Sequence, residues 1–219
     1  MEKPSSFAGR VRVEGKFFRV AAQKFHPKGV AYGPLEPDGQ GDLFASPDAT
    51  LRDFGLIREL GANLVRIYTV PPGWFLDLAQ AHGLRLLVDI PWNQGACFPD
   101  SPAAGARVRQ TVRQAALDCG RHPAVFALSV ANELRPDLVR WSGPAAVEAF
   151  LDELADVVRA VAPECLCTFG NYPTTEFLHP PGMDFVCFNV YLHQRAPFLN
   201  FSVLLGFGNF FIMVFWSVC

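Results

Sequence analysis

Short apolar runs recur along the chain and alternate with longer segments whose apolar residues follow a helical period. The runs are near-continuous, which is typical of strands buried on both faces of a parallel sheet. They occupy residues 28–32, 63–68, 84–90, 125–131, 165–172 and 185–192. With a helix between successive strands, the spacing of roughly thirty residues is the βα rhythm of a parallel barrel or an open sheet.

Helix signals lie between these runs. Thr50 and Asp53 are spaced as a capping box, and Gly61 is expected to end the helix that follows. Ser101 followed by Pro102 predicts a second helix start, a cap residue with proline in the first turn. The clearest amphipathic stripe is formed by Val147, Phe150, Leu151, Leu154, Val158 and Val161.

The number of strands sets the expected architecture. Residues 11–20 read as a β-hairpin, and six βα units follow it. A complete eight-unit barrel typically needs about 250 residues, whereas this chain has 219. We therefore predict an α/β fold over residues 1–195. It is expected to be an incomplete TIM (β/α)8 barrel with about six βα units, preceded by a short N-terminal hairpin.

The C-terminal tail, residues 196–219, departs from this rhythm. It contains no charged residue and is rich in phenylalanine. Three interpretations remain open: a membrane anchor of about 20 apolar residues, a terminal strand–helix pair, or out-of-frame sequence in place of the true continuation. The abrupt change in composition favours the third, and the first would bring the protein into contact with a membrane.

Composition limits the choice of partner and compartment. The formal net charge is −2 and no basic block stands out, so nucleic acid is not expected as a partner. The first six residues lack an apolar core, so we see no secretory signal and expect a cytoplasmic protein, membrane-associated only through the tail. The six cysteines lack the paired spacing of a zinc site and are expected to be buried free thiols, so no metal or other cofactor is predicted.

Candidate chemistry gathers where the predicted strands end. The fourth run finishes in Asn132 and Glu133, and a carboxylate at the end of a buried parallel strand is costly to place for stability alone. In α/β barrels the active site is built at this end of the strands. Glu133 could instead cap the next helix or pair with Arg135.

The other strand ends carry side chains suited to sugars, since Tyr and Trp offer flat apolar faces and Asn, Arg and His offer directional hydrogen bonds. The predicted substrate-binding residues are Arg66, Tyr68, Trp92, Asn132, Asn171, Asn189, Tyr191 and His193. Plainer interpretations exist for several of them. Arg66 could only pair with Asp89 inside the barrel, Trp92 and Trp141 could be packing residues, and His193 could be a surface histidine.

Together these residues resemble the clan of retaining (β/α)8 glycoside hydrolases. That clan includes the family 2 barrel domain, the family 5 enzymes and the β-1,3-glucanosyltransferases. The segments that carry the resemblance cover roughly residues 15–195. They read Lys-Gly-Val-Ala-Tyr-Gly at 28–33, Leu-Gly-Ala-Asn-Leu-Val-Arg-Ile-Tyr at 60–68, His-Pro-Ala-Val at 122–125 leading to Ala-Asn-Glu at 131–133, and Phe-Asn-Val-Tyr at 188–191.

The resemblance implies a role for each matching residue. Glu133 would be the acid/base, Arg66 and Asn132 would orient the nucleophile and the sugar 2-hydroxyl, and Tyr191 would contact the nucleophile. The clan takes its nucleophile, a second Glu, from the seventh strand, and no Asp or Glu follows Asp184 here. Retaining hydrolysis needs two carboxyl groups about 5–5.5 Å apart.

The resemblance therefore implies a retaining glycoside hydrolase or transglycosidase for β-linked oligo- or polysaccharides, truncated at its C-terminal end and without its nucleophile strand. We expect the 219-residue chain itself to have little or no hydrolytic activity. The alternative is a non-catalytic, membrane-tethered carbohydrate-binding remnant. The sequence leaves open the sugar and the linkage, the choice between hydrolysis and transfer, and the oligomeric state.

Overall fold

An antiparallel sheet of three short strands stands at the N-terminal end of the described chain. In this computed structural model, residues 9–33, 37, 43–93, 98, 100–191 and 210–215 are described. The sheet consists of β1 (Val11–Glu14), β2 (Phe17–Val20) and β3 (Gln23–Phe25), with β2 in the middle. The predicted hairpin is thus confirmed and extended by a third strand.

A second, parallel sheet forms the body of the protein, and its strands lie side by side in chain order. Its strands are β4 (Gly29–Ala31), β5 (Leu64–Ile67), β6 (Arg85–Asp89), β7 (Val125–Asn132), β8 (Leu166–Asn171), β9 (Val186–Tyr191) and β10 (Phe210–Phe215). Each of the six predicted strands is present. The sheet is curled like part of a barrel, which confirms the predicted α/β class.

The seventh strand, β10, comes from the apolar tail. It runs parallel to β9 and pairs with it from Phe210 opposite Val186 to Phe215 opposite Tyr191. Within the tail, only residues 210–215 are described, and they form a strand, the element that the second interpretation of the tail anticipated. No helix in the described part of the chain is long and apolar enough to cross a membrane.

Helices connect the parallel strands and cover one face of the sheet. They are α1 (Pro47–Glu59), α2 (Gly73–Ala81), α3 (Pro102–Ala115), α4 (Pro136–Ser142) and α5 (Pro144–Val161). The apolar stripe predicted for α5 is buried against the sheet, and the Ser101 hydroxyl caps α3 by accepting a hydrogen bond from the Ala104 N–H at 3.3 Å. Helix α4, directly after the Asn132–Glu133 strand end, was not predicted.

The start of α1 corrects a sequence prediction. The cap is Ser46, whose hydroxyl accepts from the Ala49 N–H, and Pro47 opens the helix, so it begins before the predicted capping box of Thr50 and Asp53. The Thr50 hydroxyl instead donates to a backbone carbonyl before the helix, and Asp53 accepts a hydrogen bond of 2.6 Å from the Tyr32 hydroxyl. Two serine- or threonine-based start signals lie four residues apart, and the one followed by proline is used.

The two faces of the parallel strands have different neighbours, as the two-residue period of a strand requires. On β5, Val65 and Ile67 face the core beneath the helices, whereas Leu64 joins a second core shared with the N-terminal sheet. Phe18 of β2 packs edge-on against Phe126 and Phe185, with ring centroids 5.0 and 5.1 Å apart. The small sheet therefore covers the N-terminal ends of the parallel strands and leaves their C-terminal ends uncovered.

The cysteines that the structure describes are buried free thiols, as predicted. They are Cys119, Cys165, Cys167 and Cys187. Burial raises the pKa of Cys119, Cys165 and Cys187 to about 12, and that of Cys167 is raised further. These thiols are therefore protonated at neutral pH and are neither nucleophiles nor metal ligands in this state.

Candidate active site

A buried arginine organises the C-terminal edge of the parallel sheet. Arg66, on β5, is 1% exposed and uses three of its nitrogen atoms. Nε donates to Asp89 Oδ2 at 2.7 Å, one terminal nitrogen to Asn189 Oδ1 at 2.6 Å, and the other to Asn132 Oδ1 at 2.7 Å. Burial is the largest single effect on Arg66 and lowers its pKa, but the attraction of Asp89, the hydrogen bond to Asp89 and the weaker attractions of Cys187 and Tyr68 together outweigh it, so the pKa of Arg66 is raised.

Asp89 is the buried counter-charge, at the end of β6. It is 4% exposed, and burial raises the pKa of its carboxyl group against the opposing attraction of Arg66; the negative charge of Glu133 raises it further. Oδ1 of Asp89 is buried without a hydrogen-bond partner. The neighbouring Ser129 hydroxyl has a single hydrogen, and it donates this hydrogen to the Ala131 carbonyl at 2.9 Å. Asp89 is therefore an ion-pair partner that is incompletely satisfied.

The side-chain amides of Asn132 and Asn189 link Arg66 to Glu133 through hydrogen bonds. Asn189, on β9, is fully buried and its Nδ2 donates to Asn132 Oδ1 at 2.9 Å and to Glu133 Oε1 at 2.7 Å. Because its oxygen accepts from the Arg66 guanidinium, which can only donate, the orientation of the Asn189 amide is determined by its partners. Strand ends that are distant in sequence thus place Arg66, Asn132, Asn189 and Glu133 in one hydrogen-bonded cluster.

The backbone of Glu133 is held in an unusual conformation. Its φ is 49°, in the left-handed region, which costs a non-glycine residue on the order of 1–3 kcal/mol. The pairing of β7 with β8 shifts register between Ser129 and Asn132, and the Glu133 N–H donates to the Gly170 carbonyl at 2.7 Å. The bulge and this bond turn the chain so that the half-buried Glu133 side chain reaches Asn189.

Gly170 of β8 is a site residue that the sequence reasoning missed. A Cβ atom at this position would lie 2.3 Å from Asn132 Oδ1 and 3.0 Å from a terminal nitrogen of Arg66. Only glycine therefore leaves room for the Asn132 amide between the strands. A glycine within an apolar strand is a known signal of close approach, and it was available in the Phe169-Gly170-Asn171 segment.

Tyr68 and Trp92 flank the cluster in different ways. The Arg66 guanidinium lies over the Tyr68 ring at 5.2 Å, and burial raises the pKa of the Tyr68 hydroxyl. Trp92 donates its indole N–H to the Val130 carbonyl at 2.7 Å and packs edge-on against Phe98 at 5.0 Å. These contacts support the interpretation of Trp92 as a packing residue. Trp141, on α4, is 77% exposed.

The remaining predicted residues do not join the described cluster. Asn171 is 2% exposed, and its amide oxygen accepts from the Thr175 hydroxyl at 2.8 Å and from the Tyr172 N–H at 2.9 Å. These bonds hold the turn after β8, and a contact of Asn171 with substrate stays a prediction. Tyr191 ends β9, but its side chain lies outside the described residues, as does the whole of His193.

This arrangement suits proton transfer next to a fixed positive charge. Glu133 is the half-buried carboxylate of the cluster, one oxygen is anchored by an amide, and Arg66 supplies a buried cation behind it. An anchored carboxylate of this kind can donate or accept a proton at a substrate oxygen. In the described residues, no group of three or more His, Cys, Asp or Glu side chains could hold a metal ion.

Comparisons with known proteins concern the sequence and the fold of the chain. No protein-family model matches the chain. It is 36% identical over 93 residues to the 1,3-beta-glucanosyltransferase GAS4 of Saccharomyces cerevisiae, a match over 36% of this chain and 19% of that protein. The chain thus spans about a fifth of the length of this relative.

Solved structures share the fold at lower identity. The β-glucuronidase of Bifidobacterium dentium is 20% identical with a TM-score of 0.70, covering 94% of this chain and 35% of that one. An exo-β-1,4-mannosidase from an Opitutaceae bacterium is 21% identical with a TM-score of 0.67, covering 82% and 41%. The chain therefore has the fold of a partial glycoside-hydrolase barrel and is similar in sequence to a 1,3-β-glucanosyltransferase.

Proposed function

We propose that this site belongs to a retaining glycoside hydrolase or transglycosidase acting on β-linked glycosides, with Glu133 as its general acid/base. The observation that carries the proposal is the hydrogen bond of 2.7 Å from Asn189 to Glu133 Oε1, within the cluster built on Arg66. This bond holds the Glu133 carboxyl group at the C-terminal ends of the strands, where the proposal has it meet a glycosidic oxygen. The similarity to a 1,3-β-glucanosyltransferase supports a β-linked glucan as the substrate class.

In the proposed mechanism Glu133 acts first as an acid and then as a base. Protonated Glu133 gives its proton to the glycosidic oxygen as the bond to the anomeric carbon breaks, and a second carboxylate attacks that carbon from the opposite face. Glu133 then takes a proton from the incoming water or sugar hydroxyl, which displaces the enzyme carboxylate. The choice between water and a sugar acceptor decides between hydrolysis and transfer.

The second carboxylate is the demanding part of the proposal. A guanidinium has five N–H donors, and toward the described residues Arg66 makes one bond from each of its three nitrogens, so one hydrogen on each terminal nitrogen is left by those bonds for a bidentate carboxylate. Asp89 already occupies Nε and is buried, which makes it a poor nucleophile. Because no Asp or Glu follows Asp184, we expect this chain alone to hydrolyse β-glycosides very slowly or not at all.

Oligosaccharide binding tests the proposal without requiring turnover. Isothermal titration of the purified chain with a β-1,3-linked gluco-oligosaccharide is expected to show saturable binding, with none for an α-1,4-linked oligosaccharide of equal length. Asn132→Ala is expected to weaken binding at least about tenfold, since it removes an amide and leaves two buried donors unpaired. Arg107→Ala, exposed on α3, is the control and should bind like the unaltered chain.

The outcome also separates the two candidate functions. Equal binding of both oligosaccharides, or an Asn132→Ala variant that binds normally, would contradict the proposed site. Selective binding of the β-linked sugar with no chemistry at Glu133 under any condition would leave a carbohydrate-binding protein without catalysis, the alternative predicted from the sequence.

A further inference from the structure

A row of positive charges crosses the outer face of the N-terminal sheet. In the register of the three strands, Arg12 lies opposite Arg19, and Arg19 lies opposite Lys24. Neighbouring strands are about 4.8 Å apart, so the three cations stand in line at short intervals. We name these three residues the cationic row. Their neighbours on the other face, such as Phe18, are directed into the core.

The row is costly for the fold, because like charges directly opposite one another destabilise an antiparallel pair. The neighbouring acids compensate only in part. Arg12 meets Glu164 at 3.4 Å where both side chains are mostly exposed, and solvent screens such a pair. Arg19 Nε lies 2.9 Å from the Glu14 carboxylate but is not aligned for a hydrogen bond with it.

The third member of the row is held over an aromatic ring. The Lys24 ammonium lies 4.0 Å from the centroid of the Phe17 ring, and the Lys16 ammonium lies 5.5 Å from it. This contact holds Lys24 on the outer face beside the two arginines, and Lys24 forms no ion pair with a carboxylate in the described part of the chain. Lys24 is therefore preorganised to meet an external anion.

The uneven distribution of charge along the chain favours the N-terminal sheet as the place where an anion binds. The six Lys or Arg of residues 9–28 stand singly in the sequence and form no continuous block, but with one carboxylate they give this segment a net charge of +5 in a chain whose formal net charge is −2. The rest of the chain is accordingly acidic and repels an anion that the sheet attracts. The sheet also covers the end of the barrel strands opposite to Glu133, so a ligand held there leaves the candidate active site open.

We propose that the cationic row binds a linear polysaccharide that carries one carboxylate on each sugar residue, lying across the strands. The three cations lie in a straight row, and the spacing between neighbouring strands is similar to the length of one sugar residue. This geometry favours a linear chain of regularly spaced charges over a compact anion. Arginine and carboxylate can form paired hydrogen bonds at each position. This surface is separate from the β-glycoside site and does not depend on the function proposed for it.

Binding of an oligogalacturonide at physiological ionic strength tests this proposal. The double variant Arg12→Gln/Lys24→Gln is expected to weaken binding at least about tenfold, because it removes both outer members of the row. Arg113→Gln removes an exposed charge from α3 and should leave binding unchanged. Circular dichroism confirms that each variant is folded.

Three results would overturn the proposal. The first is a double variant that binds like the unaltered chain, and the second is an equal loss in Arg113→Gln. The third is tighter binding to phosphatidylserine vesicles or to single-stranded DNA than to the oligogalacturonide. A neutral β-1,3-linked oligosaccharide should not compete, which keeps this surface distinguishable from the site at Glu133.

Discussion

Replacing Gly170 by alanine tests how tightly the strand ends hold the site together. The backbone of Gly170 does not require glycine, since its φ is outside the left-handed region in which other glycines of the chain lie. The added Cβ would instead lie 2.3 Å from Asn132 Oδ1, about 1 Å short of an ordinary contact. The Asn132 side chain must then move away from β8.

The expected cost follows from the bonds that this movement breaks. Asn132 Oδ1 accepts from Arg66 at 2.7 Å and from Asn189 at 2.9 Å, and both donors are buried. A hydrogen bond to a charged group contributes about 1.5–3 kcal/mol, and overpacking costs typically about 1–3 kcal/mol. Because one movement relieves the overlap and breaks the bonds together, we expect Gly170→Ala to lower the free energy of unfolding by about 2–4 kcal/mol.

Urea unfolding followed by circular dichroism measures this change. Gly55→Ala is the matched control, because a Cβ there meets no atom within 4 Å and the residue lies inside α1. It should stabilise the protein by about 0.5–1 kcal/mol, the ordinary gain of alanine over glycine in a helix. The reasoning also predicts that Asn132→Ala/Gly170→Ala costs less than the sum of the single changes. Additive losses, or a Gly170→Ala variant as stable as the unaltered chain, would refute it.

Three further changes probe separate parts of the account. Asp89→Asn should cost about 3–5 kcal/mol in urea unfolding, because it leaves the buried Arg66 charge without its ionic partner. Trp92→Phe should cost about 0.5–1.5 kcal/mol by losing the bond to the Val130 carbonyl, with little change in oligosaccharide affinity. Burial and a hydrogen bond to the Asp53 carboxylate raise the pKa of the Tyr32 hydroxyl to about 12 in the folded protein. The unfolded chain therefore loses this proton at lower pH than the folded one, and the thermal midpoint should fall as the pH rises from 10 to 12. The fall should be less steep in Tyr32→Phe.

The parallel strands could be predicted from the sequence because both of their faces are buried. A strand such as Val125–Asn132 is then a continuous apolar run that ends where burial becomes partial, so the run shows the position of the strand and of its C-terminal end. The pairing of Arg66 with Asp89 was anticipated as an alternative to a role in the site. The structure shows the ion pair and, beside it, a hydrogen bond from the same guanidinium to Asn132, since the guanidinium has enough donors for both.

Other features depend on register and packing, which one sequence does not reveal. The cationic row is formed by residues from three strands, and a shift of one position in either pairing would have dispersed it. Asn171 has the same residue type and strand position as a sugar ligand, yet Thr175 and the following turn occupy its amide. The start of α1 was missed because Thr50 and Asp53 match the spacing of a capping box, whereas the helix uses the earlier signal of Ser46 followed by Pro47.

The role of Glu133 is tested most directly by supplying a small external nucleophile. In a site that has the acid but lacks the nucleophile, azide can attack the anomeric carbon of an aryl β-glycoside as Glu133 protonates the departing oxygen. This forms an α-glycosyl azide and the free phenol. We predict azide-dependent release of a poor leaving group such as phenol, lost in Glu133→Gln and retained in Glu176→Gln. Azide-dependent release that is equal in the unaltered chain and in Glu133→Gln, or no release at saturating azide although the β-glycoside is bound, would contradict the assignment of Glu133 as the acid/base.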